Sequence, residues 1–468
     1  MVDFSIEPEF QAKLDWMREF VDNKVNPLQY IFDYDMDAAY DVGNKPLRAI
    51  VKRLQQEVKD NGMWAAHLPP HLGGQGYGAV KLTYMNEMFG IGSFGPVVFG
   101  CQGPDSGNSE ILAMFGTEEQ KKQYLEPLLA NDIFSTFAMT EPQGGSDPVN
   151  FRTRAVRDGD DWVITGDKWF ASNANHAAFM IVMAVTDPDA KPHERATMFL
   201  VPTDAPDFEI VRNIGFWSDH PGTGGHPWLR FNGVRVPDSA RLGPVGGGFK
   251  VAQSRLGGGR LHHAQRTIGL VKYLLDIMAE RALSRSVGGE PIAQKQAVQM
   301  DLARTFAEYH QFRLLVLYTA WLFDAHQEHG TQGRLMISTV KASMAKIAAE
   351  VTTRAVHLYG SIGLSNVMRF SELMAAAIHE GAADGVTEVH LANVSKLLLR
   401  GYSPAEGSFP SEVLWRKKVW AEKQLAPVLA EVGVTFEEAR GTLEPNPPAE
   451  VAPAVAPVVA PATAPVLK

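Results

Sequence analysis

The sequence predicts an α+β multidomain chain: an N-terminal helical domain, a middle antiparallel β domain and a C-terminal helical bundle. Three observations carry this. Apolar residues recur every three or four positions before residue 135 and again after residue 247. Between those regions the pattern changes to short β-branched and aromatic runs, punctuated by Gly, Pro, Asp and Asn. Helices and strands are segregated rather than alternating, which excludes a doubly wound nucleotide fold. A length of 468 residues agrees with about three domains at roughly 150 residues each. The boundaries expected are 1–135, 136–246 and 247–440, followed by a disordered Ala/Pro-rich tail over 441–468.

In the first region Leu47, Ile50, Val51, Leu54 and Val58 form a helical stripe that Asn61-Gly62 ends. Pro69-Pro70 and Gly73-Gly74 mark a turn, and Glu118–Leu129 reads as a further helix. In the middle region Trp162–Thr165, Ala178–Val185 and Thr197–Val201 read as strands. Trp228–Phe231 and Val234–Val236 flank Asn232-Gly233, the signature of a hairpin turn. This predicts a small antiparallel sandwich or barrel. In the third region Leu261, Ala264, Ile268, Val271, Leu275, Met278 and Ala282 form a bundle seam. Val298, Leu302, Phe306, Tyr309, Phe312 and Val316 form a second stripe; a third helix runs through Leu335–Leu358, and a last one follows Asp384-Gly385. Prolines every few residues from Pro445 onward forbid helix in the tail.

Forty-four basic and 53 acidic residues leave a net charge of −9, which argues against a nucleic-acid partner. The single cysteine, Cys101, can form neither an internal disulfide nor a cysteine metal cluster, and it suits a reducing compartment. The first residues lack the basic start and apolar run of a signal peptide. The densest apolar run, near Ala177–Val185, falls far short of the ~20 residues of a membrane helix. The expectation is a cytoplasmic protein with no membrane span.

Three stretches could carry chemistry. Phe137–Pro148 begins as a strand and breaks into small and polar residues. It is either an interdomain turn or a loop whose backbone and hydroxyl groups cradle phosphate. Lys168–Asn173 places Phe170 two residues before Ser172; in a strand the two would share a face and meet one flat ligand. Asp384 stands before an apolar helical pattern, as either a helix N-cap or a carboxylate general base. His262 and His263 are adjacent and point apart on a helix, while His220 and His226 lack a nearby carboxylate pair, so no metal site is expected.

Taken in order, these stretches resemble the acyl-CoA dehydrogenase family over nearly the whole chain. His71–Gly78 looks like the family's early loop, Gly116–Lys122 like its segment before the β domain, and Met139–Asp147 like its flavin loop. Gln253–His263 and Ala383-Asp384-Gly385 with Glu388-Val389-His390 resemble a subgroup, some members of which also carry a kinase-like domain. The resemblance implies FAD bound between the β domain and the bundle of a homodimer or homotetramer. It implies flavin contacts from Phe137, Met139, Thr140, Phe170, Ser172 and Gly363, and a pyrophosphate contact from Ser146. Arg285 and Gln296 look like the pair that reaches the FAD of a neighbouring subunit.

The family departs from this chain at several positions. Gly288 stands where Phe is common, Ala375-Ala376 where Arg-Asp is usual, and Val386 and Glu388 where Thr and Gln are common. Asp384 takes the place of the usual Glu base, and Gly259 occupies the position from which another branch supplies its base. The implied reaction is α,β-dehydrogenation of an acyl-CoA thioester to the trans-2-enoyl-CoA. Asp384 would take the α proton, Arg260 and Gly385 would line the substrate site, and an electron-transfer flavoprotein would accept the electrons. A flavin oxidase on the same scaffold, acting on an acyl-CoA or nitroalkane-type substrate, and a non-catalytic interaction protein are the alternatives.

Overall fold

The computed structural model of the protein describes residues 2–32, 38–92, 94–215, 223–326 and 330–441. Beyond Gly441 the expected tail lies outside the described residues, as does His220. The chain divides into two compact units, Met1–Leu398 and a second from Leu399.

The larger unit begins with helices. Pro8–Phe20 opens with proline in its first turn, where no intrahelical N–H is needed, and buries Phe10, Leu14, Met17 and Phe20. Lys45–Asp60 is capped by the Asn44 side chain, which accepts from the Leu47 N–H at 3.2 Å. It buries Leu47, Val51, Leu54 and Val58 and stops before Gly62, whose φ is +63°. Ile50, counted in the predicted stripe, is instead exposed. It lies on the edge of the apolar arc, one position from Val51. Asp105–Phe115 follows; this helix later forms one wall of the site.

The middle region is one eight-stranded sheet. Its strands are β1 Phe134–Ala138, β2 Arg154–Asp158, β3 Asp161–Lys168, β4 Ala177–Val185, β5 Ala196–Pro202, β6 Phe208–Arg212, β7 Trp228–Pro237 and β8 Arg241–Leu242. The order is β6-β7-β3-β2-β4-β5-β8, with β1 paired to β4. Pairing is antiparallel except where β4 meets β1 and β2. Because side chains alternate across a strand, β4 feeds two cores. Met180, Val182 and Ala184 pack with Trp162, Ile164, Phe199, Leu229 and Phe231 inside the β region. Phe179, Ile181 and Met183 pack with Ile111, Leu112, Val251 and Ala252 of the helices. The second core joins the sheet to the helices that carry the site.

The expected hairpin at Asn232-Gly233 does not form. β7 runs unbroken for 10 residues. Thr165 pairs with Asn232 and Ile164 with Val234, so Gly233, at φ +94°, is the extra residue of a β-bulge. The neighbouring strand β3 offers partners along the full length, and that pairing outweighs the local turn preference.

The C-terminal region is a bundle of long helices: Gly248–Ser284, Gln296–Asp324 and Thr331–Tyr359, then Phe370–Ala382 and Thr387–Leu399. Leu261, Ala264, Ile268, Val271 and Met278 are buried as the stripe predicts, with Leu274 buried beside them. Phe312 and Val316 are buried in the second stripe, but Phe306 is 56% exposed. No described helix is long and apolar enough to cross a membrane. The second unit holds the helix Leu414–Val432 and a short helix, Phe436–Arg440, closed at its start by a Thr435–Glu438 capping box.

Candidate active site

Asp384 sits in the corner between Phe370–Ala382 and Thr387–Leu399, with a left-handed φ of +53°. Aspartate tolerates that conformation better than most residues. It is not the N-cap of the following helix, which begins only at Thr387. Gly385 continues the turn at φ +105°, and a Cβ there would fall 2.8 Å from His390 Nε2. The corner is gripped from two sides: Arg260 Nε donates to the Asp384 carbonyl at 3.0 Å, and His390 Nε2 lies 3.3 Å from the same oxygen. The three residues expected at the substrate site, Asp384, Gly385 and Arg260, are thus brought together.

The Asp384 side chain is 23% exposed and lines a cleft between the start of Asp105–Phe115 and the helix Gly248–Ser284. The cleft is bounded by Gly103, Pro104, Ser106, Gly107, Arg255, Gly259, His262, His263, Arg266 and Asp384. A Cβ at Gly259 would stand 3.6 Å from Asp384 Oδ2, so the missing side chain leaves the carboxylate face open.

The cleft walls carry more charge than the sequence reading anticipated. His263 Nδ1 is 3.0 Å from Glu380 Oε1, and its Nε2 is 3.8 Å from Asp384 Oδ2. Arg255 Nε donates to Asn108 Oδ1 at 2.9 Å, and its guanidinium stacks 4.2 Å from the Phe137 ring centre. Burial pushes Glu110 up to about 7, against the opposing charge of Arg255. Burial also lowers His67 to about 4 and drives His262 well below its ordinary value, so both rings are neutral at pH 7. As expected, the adjacent His262 and His263 diverge: His262 faces the His67 ring and His263 faces Glu380. Sequence reasoning missed Glu380, His263 and Glu110. No local spacing signalled them: Asp384 lies outside both flanking helices, so its four-residue separation from Glu380 does not place the two on one helix face.

The second face of the site is built on the sheet. β1 ends at Ala138 and delivers Phe137, Met139 and Thr140, all half-buried. Two bonds fasten the loop that follows: Lys168 Nζ donates to the Met139 carbonyl at 2.7 Å, and the Trp169 N–H donates to the Thr140 carbonyl at 3.0 Å. Lys168 also pairs with Glu141 at 2.8 Å, both side chains sealed from solvent. Glu141 in turn accepts the Arg152 and Thr153 N–H groups at 2.6 and 2.9 Å. Ser146 is exposed, at φ +60°.

Phe170 and Ser172 do not share a strand face, contrary to expectation. β3 stops at Lys168, and Phe170 (φ +52°) and Asn173 (φ +62°) bend the chain into a turn. Phe170 stays 45% exposed, and the Ser172 hydroxyl lies 2.9 Å from His226 Nδ1. The cause is the loop facing it: Ala171 and Asn173 N–H groups donate to the Pro227 and Gly225 carbonyls, not to a strand. Arg285 and Gln296 are exposed and flank the two-stranded hairpin of Ser286–Val287 and Glu290–Pro291. Gly363 is buried in the turn Gly360–Leu364, where a Cβ would fall 2.6 Å from the Val356 carbonyl. These three share no hydrogen bond with the Asp384 corner among the described residues.

These residues fit a flat, polar-edged ring. An aromatic side chain remains exposed on a constrained turn. Asn175 Oδ1 and His176 Nε2, on the same loop, and Trp228 Nε1, at the start of β7, are buried with no hydrogen-bond partner among the described residues. Buried polar groups normally find partners, so these unpaired donors and acceptors are available to a ligand.

Comparison with known proteins agrees. The family models for the acyl-CoA dehydrogenase N-terminal, middle and C-terminal domains match residues 7–132, 136–234 and 246–399. Fold and site define a flavoprotein oxidoreductase whose cofactor is FAD. The chain belongs to the acyl-CoA dehydrogenase family. It is 37% identical over 355 residues to the probable acyl-CoA dehydrogenase FadE2 of Mycobacterium tuberculosis, covering 74% of this chain and 85% of that protein. It is 34% identical over 407 residues to mouse acyl-CoA dehydrogenase family member 10, covering 85% of this chain but only 38% of that protein. Among solved structures, an acyl-CoA dehydrogenase-type protein of Mycobacterium abscessus superimposes with a TM-score of 0.78 at 33% identity, covering 85% of this chain and all of that one. Glutaryl-CoA dehydrogenase of Mycobacterium smegmatis, solved in complex with FADH2, matches with a TM-score of 0.71 at 26% identity, covering 85% and 96%.

Proposed function

We propose that this chain catalyses FAD-dependent α,β-dehydrogenation of an acyl-CoA thioester to the trans-2-enoyl-CoA, with Asp384 as the base. The observation that supports this most directly is the placement of Asp384. Its carboxylate lines a cleft opposite the bare Gly259, while its own carbonyl is held by Arg260.

The α hydrogen of a thioester is far less acidic than a carboxylic acid, so the base must be aimed closely and the developing enolate stabilised. Asp384 receives the α proton. The Asp384 N–H would donate to the thioester carbonyl, where negative charge develops. Arg260 holds the backbone carbonyl of the residue that carries both groups, which restrains base and donor together. FAD, when bound, supplies the two-electron acceptor for the hydrogen leaving the β carbon. Its ring would meet Phe137, Met139, Thr140, Phe170 and Ser172; its pyrophosphate would meet Ser146; Arg285 and Gln296 would reach the cofactor of a second copy in a homodimer or homotetramer. Gly363 borders the same site in this reading. An electron-transfer flavoprotein is the proposed final acceptor, in a cytoplasmic role in fatty acid metabolism. The three domain boundaries at 135, 246 and 440 are part of the same proposal.

An anaerobic titration with straight-chain acyl-CoA thioesters, from butyryl- to palmitoyl-CoA, tests the reading. The yellow flavin band should bleach in the native protein. Asp384→Asn should keep the bound cofactor and show no bleaching. Bleaching of that variant at the native rate removes Asp384 as the base, and rapid recovery of colour in air would point to an oxidase.

A further inference from the structure

We propose that His263, braced by Glu380, is a positioning residue for Asp384: as an imidazolium it aims the carboxylate and follows its charge through proton abstraction. This rests on the reading of Asp384 as the base.

The argument is geometric. Glu380 closes the last turn of Phe370–Ala382, and Asp384 follows four residues later in the corner. His263 projects from the middle of Gly248–Ser284 between them. Its Nδ1 is at hydrogen-bond distance, 3.0 Å, from Glu380; its Nε2 faces Asp384 at 3.8 Å, which is an ion-pair separation and too long for a hydrogen bond. A neutral imidazole has a single N–H. A ring facing a carboxylate oxygen through each nitrogen is satisfied on both sides only when doubly protonated. Glu380 is itself fixed, because the Lys341 ammonium donates to its backbone carbonyl. About a third of the His263 side chain faces the cleft, so the cation borders the space the thioester would occupy.

The surrounding charges favour the same state. From the Phe370–Ala382 helix His263 meets Glu380 and His379; from the corner, Asp384; from its own helix, Arg266 and His262. Glu380 has the largest effect and raises the His263 pKa; burial opposes it, Asp384 adds to the rise, and Arg266 opposes. Burial favours protonated Glu380, yet His263, His379 and Lys341 pull that carboxyl well below its usual range. On proton transfer, negative charge leaves Asp384 and appears on the enolate in the same cleft. A cation placed beside both keeps its partner throughout, and the aromatic ring restricts the Asp384 rotamer in the ground state.

The test uses FAD-loaded His263→Gln, His263→Lys and Glu380→Gln, with the same butyryl- to palmitoyl-CoA series. His263→Gln should lower kcat on the order of 10²-fold with KM little changed, the loss expected of a misaimed group. His263→Lys should recover at least tenfold, because it restores a cation. Glu380→Gln should move the alkaline limb of kcat to lower pH by about one unit or more, since removing an anion lets the imidazolium lose its proton sooner. Carbon-13 histidine NMR provides a readout independent of turnover: the His263 ring should be charged at pH 7 in the native protein and should titrate at lower pH in Glu380→Gln. Should His263→Gln fail to fold, the other two variants and the NMR titration still decide. A neutral His263 ring at pH 7, or native kcat in His263→Gln, overturns the proposal. Inert Asp384→Asn beside fully active His263→Gln would sink the positioning role alone; active Asp384→Asn would sink the reading beneath it.

Discussion

Arg260 reaches from the long helix to the backbone carbonyl of Asp384, Nε to O at 3.0 Å, so the proposed base is held through its own peptide. Arginine suits the task because its guanidinium is a rigid donor that stays charged when buried. Arg260→Gln should therefore keep FAD and lose on the order of 10²-fold in kcat, as expected when a reacting group drifts by about 1 Å. Stopped-flow bleaching of the flavin band measures it, and an unchanged rate would show the grip to be dispensable.

Gly385 makes the same corner possible. Any side chain there meets both a left-handed φ of +105° and His390 at 2.8 Å from the new Cβ. Gly385→Ala should be destabilised by about 1–3 kcal/mol and should lose flavin bleaching more completely than it loses stability. Thermal unfolding and single-turnover reduction, run on the same preparation, separate the two effects.

The buried pair Lys168–Glu141 should govern cofactor retention rather than chemistry. Lys168 holds the Met139 carbonyl, and Glu141 organises the Arg152 and Thr153 N–H groups on the other side. Lys168→Met strands a buried carboxylate, which costs about 3–5 kcal/mol. FAD should then be lost on dialysis. Adding Glu141→Leu removes the stranded charge and should restore part of the stability, but not the cofactor. Unfolding midpoints and the flavin-to-protein absorbance ratio report the two outcomes.

Glu110 should leave a pH signature on stability. Burial raises it from 4.5 to about 7. A raised pKa means the folded state holds its proton more tightly than the unfolded chain. That stabilisation is fully present below about pH 4.5 and is lost as pH rises through 7. Glu110→Gln should abolish this loss, making the variant more stable than the native protein at pH 8 by at most about 3 kcal/mol. Denaturant midpoints at pH 5 and pH 8 check it; equal pH dependence in both proteins would contradict it.

Much of the fold was legible as pattern. Stripes such as Leu261–Ala264–Ile268 are visible because a helix must bury one face, and the spacing of apolar residues records which face that is. The proposed flavin loop and the proposed role of Asp384 came from family likeness rather than from local pattern. Asn232-Gly233 misled because a turn preference is a local bias of modest size, whereas β3 provides a continuous ladder of partners. Phe170 misled for the converse reason: strand-like residues were taken over by bonds to the Gly225–Pro227 segment.

Residue order and periodicity alone settle the three regions and their helical or extended character. They do so because hydrophobic spacing and backbone preference act within a few residues. Packing settles the rest. His263 and Glu380 are 117 positions apart, and neither carries a local signal of the other. Their meeting at Asp384 depends on how two helices cross, and that is decided by the summed burial of side chains along both lengths.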